Sequence, residues 1–210
     1  MSSPHTLSFI EATEARRSVR SLIPKSTVPD KEIVELVRQA LLVTPTAFSS
    51  QTVRATLLLH DDHAKLWTIT GDALKAKIGQ ERYDATTKSK IEAFGQGYGT
   101  ILFWDSGDAV ENFRENCPKS YKDKVDEWVH HGMGICQYHL WVGLVAFGLG
   151  VNLQHYNPLI DEGVRKEWNL PADWRLRAQM VFGVAAPDVK PGPRGQKYPI
   201  EERFQAFGAQ

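Results

Sequence analysis

The sequence predicts an α+β or α/β layered fold, and three observations carry that expectation. Residues 52–60 and 99–104 are β-branched and apolar enough to form buried strands. Helical stretches precede and separate them, and a long apolar run over residues 133–151 reads as a helix buried on all sides. Strands divided by helices in this way argue against a β-sandwich.

The elements follow in order. Ser8, with Glu11 three residues on, forms a candidate capping box, and Phe9, Ala12 and Ala15 fall along the helix it opens. That helix should end near the arginines at 16 and 17. After a break at Pro24, Asp30 can cap a second helix whose apolar residues Ile33, Leu36, Val37, Ala40 and Leu41 recur at i, i+3, i+4, i+7 and i+8. Pro45 stops it, because proline disfavours helical geometry in the residue before. The strand at 52–60 follows. Residues 64–78 and 86–94 read as helices, with Gly79 closing the first, and the strand at 99–104 comes next. Residues 151–154 and 177–184 complete the strand candidates. Three prolines and two glycines make 187–195 an extended arm or loop.

A chain of 210 residues fits one large domain or two small ones. Lysine plus arginine equals aspartate plus glutamate at 25 each, so no global field attracts nucleic acid or an anionic membrane, and any anion site must be local. The run at 133–151 is interrupted by Gln137 and His139, whereas a membrane span needs roughly 20 predominantly apolar residues. Cys117 and Cys136 lack metal-ligand or redox spacing, and no basic-then-apolar signal segment opens the chain; a reducing cytoplasm is the expected location.

Three segments can carry chemistry. Arg16, Arg17, Ser18 and Arg20 place three permanent cations and a hydroxyl within five residues, and guanidinium groups bind phosphate through paired, charge-assisted hydrogen bonds. A solvated helix end, where cations favour the dipole, explains the same pattern. The loop from Thr44 to Gln51 offers backbone amides, hydroxyls and one carboxamide to a polar ring, or is simply a capped turn. Beyond Gly148, a short strand leads into Gln154, His155 and Tyr156, which can line a pocket for an aromatic ligand or be satisfied core groups. Lys197, with Arg194 before it, adds late positive charge.

Other chemistries lack their spacing. There is no Gly-x-Ser-x-Gly elbow, no Gly-x-x-x-x-Gly-Lys loop and no His-Glu-x-x-His helix. His130 and His131 point to different helix faces, so no metal site is expected. The Gly95-Gln-Gly-Tyr-Gly-Thr run precedes a strand rather than linking a strand to a helix, which argues against a dinucleotide turn.

Taken in order, Arg16-Arg-Ser-Val-Arg20, Pro45-Thr-Ala-Phe-Ser-Ser-Gln51, Gly148-Leu-Gly150 and Lys197-Tyr-Pro-Ile-Glu201 resemble the nitroreductase family of flavin enzymes. The likeness covers nearly the whole chain. It is nearest to a short subgroup that includes fungal members and a copper-induced lactococcal enzyme, through Gly99-Thr-Ile-Leu-Phe103 and the run from Asn152 to Glu162.

The resemblance implies one α+β domain over residues 1–210, with a central, mainly antiparallel sheet and a long buried helix at a homodimer interface. It further implies FMN sites shared between the subunits. Arg16, Arg17, Ser18, Arg20 and Lys197, with Arg194 as a further phosphate candidate, would hold the phosphate, ribityl chain and pyrimidine edge from one subunit. Pro45, Thr46, Ala47, Ser49 and Gln51 would come from the other. Gln154, His155 and Tyr156 would lie by the isoalloxazine, with a backbone amide near its N5. Ser49 departs from the family's asparagine and removes a carboxamide.

The implied reaction alternates two half-reactions, NADH or NADPH reducing the flavin and a nitroaromatic, quinone or similar electron-poor molecule oxidising it. No side chain is required as acid or base. A flavoenzyme with a dedicated metabolite or peroxide acceptor, and a non-catalytic flavin-binding dimer, are the rival readings.

Overall fold

The structure, a computed structural model, describes residues 6–190 and 192–209. Ser8 opens α1 (Phe9–Ala15) with the predicted capping box: its hydroxyl accepts from the Glu11 amide, and Glu11 accepts from the Ser8 amide in return. A two-residue strand, β1 (Leu22–Ile23), precedes α2 (Asp30–Val43). Pro29 rather than Asp30 holds the N-cap position of α2, without a side-chain cap bond. The Asp30 carboxylate turns outward, accepting from the Tyr98 hydroxyl and pairing with His60 Nε2 at 2.9 Å. The predicted cap residue is therefore a tie between α2 and the chain bordering the sheet.

Next come β2 (Val53–Leu59) and α3 (His60–Ile78), which starts four residues before its apolar pattern because Asp61 and Asp62 suit the positive end of the helix dipole. Gly79, at φ 82°, closes α3 and opens α4 (Gln80–Thr86), followed by α5 (Lys88–Gly95). The chain then runs through β3 (Gly99–Ser106), α6 (Gly107–Asn116), α7 (Val125–Ala146), β4 (Gly150–Gln154), α8 (Asp161–Glu167) and β5 (Trp174–Ala185). The arm at 187–195 carries no helix or strand among its described residues; Pro191 lies outside them.

The sheet runs β1-β5-β3-β2, with β4 also paired to β5, and every strand pair is antiparallel. Long β5 accepts β3 along residues 174–182 and β4 along 179–183. The uninterrupted apolar run of β3 now has its reason. Ile101 and Phe103 face a core built with α2 and α7, while Leu102 and Trp104 face one built with α3, α5 and α8. Both faces of the strand are buried, so the period of two exposes nothing polar.

The first core takes Ile33, Val37 and Ala40 from α2, and Met133, Cys136, Leu140 and Leu144 from α7. Each fully buried aliphatic side chain of this kind contributes about 1.5–3 kcal/mol. The architecture is the α+β one, an antiparallel sheet flanked by helices with one long helix. No helix among the described residues is long and apolar enough to cross a membrane. Within one chain, α7 is not buried all round: Ile135 and Tyr138 are 47% and 42% exposed.

Candidate functional site

The arginine segment leaves α1 in extended form and lies along the outer edge of β4. Ser18 bridges to Val151 in parallel, the Val19 amide donates to the Val151 carbonyl at 2.9 Å, and Asn152 Nδ2 donates to the Val19 carbonyl at 2.7 Å. Gly150 is needed for this approach, because a Cβ there would come within 2.8 Å of Leu22 Cδ2 and 3.0 Å of Val19 Cγ1. The sequence-predicted residues at 16–20 and 154–156 are thereby brought onto one edge of the sheet.

None of Arg16, Arg17 and Arg20 is paired with a carboxylate among the described residues. Arg17 donates through Nη1 to the Glu14 and Arg16 carbonyls, and its buried Nε has no partner among those residues. The Arg16 guanidinium lies over the Trp141 ring at 4.9 Å, and Arg20 is exposed. Three cations within five residues and without counter-charge favour an anion nearby.

Arg194 reaches the same place from the C-terminal arm. Its Nη2 donates to the Thr13, Glu14 and Arg16 carbonyls at 3.0, 2.7 and 3.2 Å, satisfying the open end of α1. A cleft opens between Arg17–Ser21 on one side and Val189, Lys190, Gly192 and Pro193 on the other. Lys197 does not line it; its Nζ stands 5.5 Å over the ring of Tyr198.

At the end of β4, Gln154 Nε2 donates to Asn152 Oδ1 at 2.8 Å. The Tyr156 amide donates to the Oε1 of buried Gln179 at 2.7 Å, and the Tyr156 ring turns into the second core against Trp67 and Phe94. Burial there pushes the phenol pKa up. His155 is exposed, and its backbone amide has no hydrogen-bond partner among the described residues. Gln179 thus takes one amide of this turn and leaves the preceding one open. A carboxamide inside the apolar run Ala178-Gln-Met-Val181 was the sequence signal for such a role, since a buried amide must find partners.

The loop at 45–51 lies elsewhere. The Ser49 amide donates to the Thr46 carbonyl and the Gln51 amide to Thr46 Oγ1, both at 3.0 Å. Pro45 is exposed and Ala47 half-buried. Gly132 of α7 lets Thr46 close in, since a Cβ there would lie 3.0 Å from Thr46 Cγ2. Phe48, Ser49 and Gln51 all take positive φ, at 52°, 52° and 46°. Such backbone strain in side-chain-bearing residues collects at functional loops. Phe48 is 60% exposed, yet its ring touches Phe113, Tyr121 and Trp128 at 5.7–6.0 Å. No hydrogen bond or ring contact joins this loop to residues 16–20 or 154–156 within the described chain.

Residues 13–184 match the sequence profile described as the nitroreductase family. The Saccharomyces cerevisiae protein HBN1 is 30% identical over 201 residues, covering 95% of this chain and 96% of its own. The nitroreductase CinD from Lactococcus lactis, solved in complex with nicotinic acid, superposes with a TM-score of 0.84 at 38% identity, over 95% of this chain and 100% of its own. CinD has also been solved with chloramphenicol and with 4-nitrophenol. A Desulfovibrio desulfuricans protein in complex with FMN shares the fold at a TM-score of 0.64 and 18% identity, over the full length of both chains.

Proposed function

The chain belongs to the nitroreductase family, and from that premise we propose that it is a cytoplasmic, homodimeric, FMN-dependent oxidoreductase using NADH or NADPH to reduce nitroaromatics, quinones or similar electron-poor acceptors. The observation that carries the reading is β4: the segment holding Arg16, Arg17 and Arg20, none with a carboxylate partner, runs along its edge at Val151, and the open His155 amide follows its end. This donor set fits the group: cations for a phosphate, and an unpaired backbone donor for a polar ring edge. The unpartnered buried Nε of Arg17 points the same way.

Bound FMN would supply the two-electron redox chemistry linking nicotinamide to acceptor. The chain's part is to hold and orient. Arg16 and Arg20 would hold the phosphate, with Arg17 and Ser18 along the ribityl chain and pyrimidine edge, and Lys197 would join the phosphate by swinging away from Tyr198. Arg194, occupied by α1-end carbonyls through Nη2, ties the arm to α1 and would reach the phosphate only through its remaining N–H groups. The His155 amide would be the donor offered to the flavin's polar ring edge, in the turn that Gln154 leads into and Gln179 holds. Pro45, Thr46, Ala47, Ser49 and Gln51 of the partner subunit complete the site, which explains why this loop stands apart from the arginines within one chain. The aromatic group around Phe48 offers flat acceptors a stacking surface.

A steady-state acceptor panel tests the substrate class. With NADH or NADPH in excess, 4-nitrophenol-like nitroaromatics and simple quinones should be turned over. Failure of both classes, with turnover of a peroxide or a single metabolite instead, would replace this acceptor assignment by a dedicated one.

A further inference from the structure

Arg16 is held in an unusual way for a cation meant to meet an anion. Its guanidinium lies 4.9 Å from the ring of Trp141, on α7, and among the described residues no carboxylate pairs with it. Trp141 is half-buried against the core shared by α2 and α7, and its Nε1 has no partner among the described residues, so packing rather than a hydrogen bond sets the ring. Attraction of a guanidinium to an indole face uses no N–H donor, and the Arg16 side chain donates to no group among the described residues, so its five N–H groups stay available. A carboxylate would immobilise the same arginine but occupy that edge and cancel its charge.

We propose that Trp141 is a positioning residue for the flavin phosphate: it fixes Arg16 by its ring face while leaving the charge and the donors of that arginine to the ligand. The inference rests on the flavin reading above. It gives α7 a role in the cofactor site from within the same chain, separate from any role at a subunit contact. Ordering a long side chain before the ligand arrives removes an entropy cost from binding.

The test uses the full chain freed of flavin, titrated with FMN and with riboflavin, which lacks the phosphate. Trp141→Leu should weaken FMN roughly 2- to 30-fold and leave riboflavin affinity unchanged, while Trp141→Phe should recover most of the loss. In an Arg16→Ala background, Trp141→Leu should cost nothing further. Equal weakening of FMN and riboflavin, or a full additional loss in the Arg16→Ala background, would overturn the proposal and leave Trp141 a packing residue. Wild-type protein that binds neither flavin would instead overturn the flavin reading, and this proposal with it.

Discussion

The Asn152 side-chain amide donates to the Val19 carbonyl at 2.7 Å, pinning together two segments 133 residues apart. Asn152 is buried, and its Oδ1 also accepts from Gln154 Nε2. Asn152→Ala strips a donor from Val19 and an acceptor from Gln154, so it should destabilise the fold by about 1–3 kcal/mol. Asn152→Asp keeps the acceptor but faces the Val19 carbonyl with a carboxylate, and should cost at least as much. Urea unfolding of both variants, with flavin content measured alongside, checks this; unchanged midpoints would show the bond to be dispensable.

Arg16→Ala and Arg20→Ala should each weaken FMN binding by about 1–3 kcal/mol for the lost charge-assisted hydrogen bonds. Calorimetric titration reads the effect directly. If both variants bind FMN like the wild type, the arginines are not phosphate ligands.

Ile135 and Tyr138 lie on the α7 face that one chain leaves uncovered. If a second copy covers it, Ile135→Glu places an unpaired charge in the contact, and sedimentation should show a monomer that no longer retains flavin. The chain should still unfold cooperatively, because this position does not belong to the core. A flavin-loaded dimer of Ile135→Glu would move the subunit contact to another surface.

His63 gives the fold a definite acid response. It is 2% exposed, its Nδ1 lies 2.9 Å from Thr100 Oγ1, and burial lowers its pKa from 6.5 to about 4. The folded chain keeps the imidazole neutral while the unfolded chain takes up a proton below pH 6.5. Its contribution is therefore complete above that pH and is lost as pH falls toward about 4, at about 1.4 kcal/mol per pH unit between the two values. Denaturation across this window should show the slope in the wild type and a flatter one in His63→Gln.

Strands β2 to β5 and α2 were legible because their patterns are local, with β-branched runs for β2 and β3 and a clean apolar stripe for α2, whereas two-residue β1 was too short to show one. Elements with mixed signals were not. The first turns of α7 carry Asp126, Glu127, His130 and His131, which mask the buried pair Val125 and Val129. In α6, a Ser106 cap and the buried pair Val110 and Phe113 sit among charges; α4 begins where Gly79 read only as a stop. At the candidate site, the arginines and the 154–156 turn could be picked out by residue type, but their placement along and after β4 could not, since Gly150 and Asn152 admit and pin the arginine segment and Gln179 holds the turn. The ring under Arg16 was equally hidden, because nothing local relates Trp141 to residue 16.

The most direct test of the flavin oxidoreductase reading is the visible spectrum of the purified or FMN-reconstituted chain before and after NADH or NADPH is added without air. The protein should be yellow, with a blue-region flavin absorbance that bleaches with the nicotinamide and returns on addition of a quinone or nitroaromatic. A colourless protein that cannot be reconstituted with FMN would contradict that reading, and so would a bound flavin that neither nicotinamide reduces.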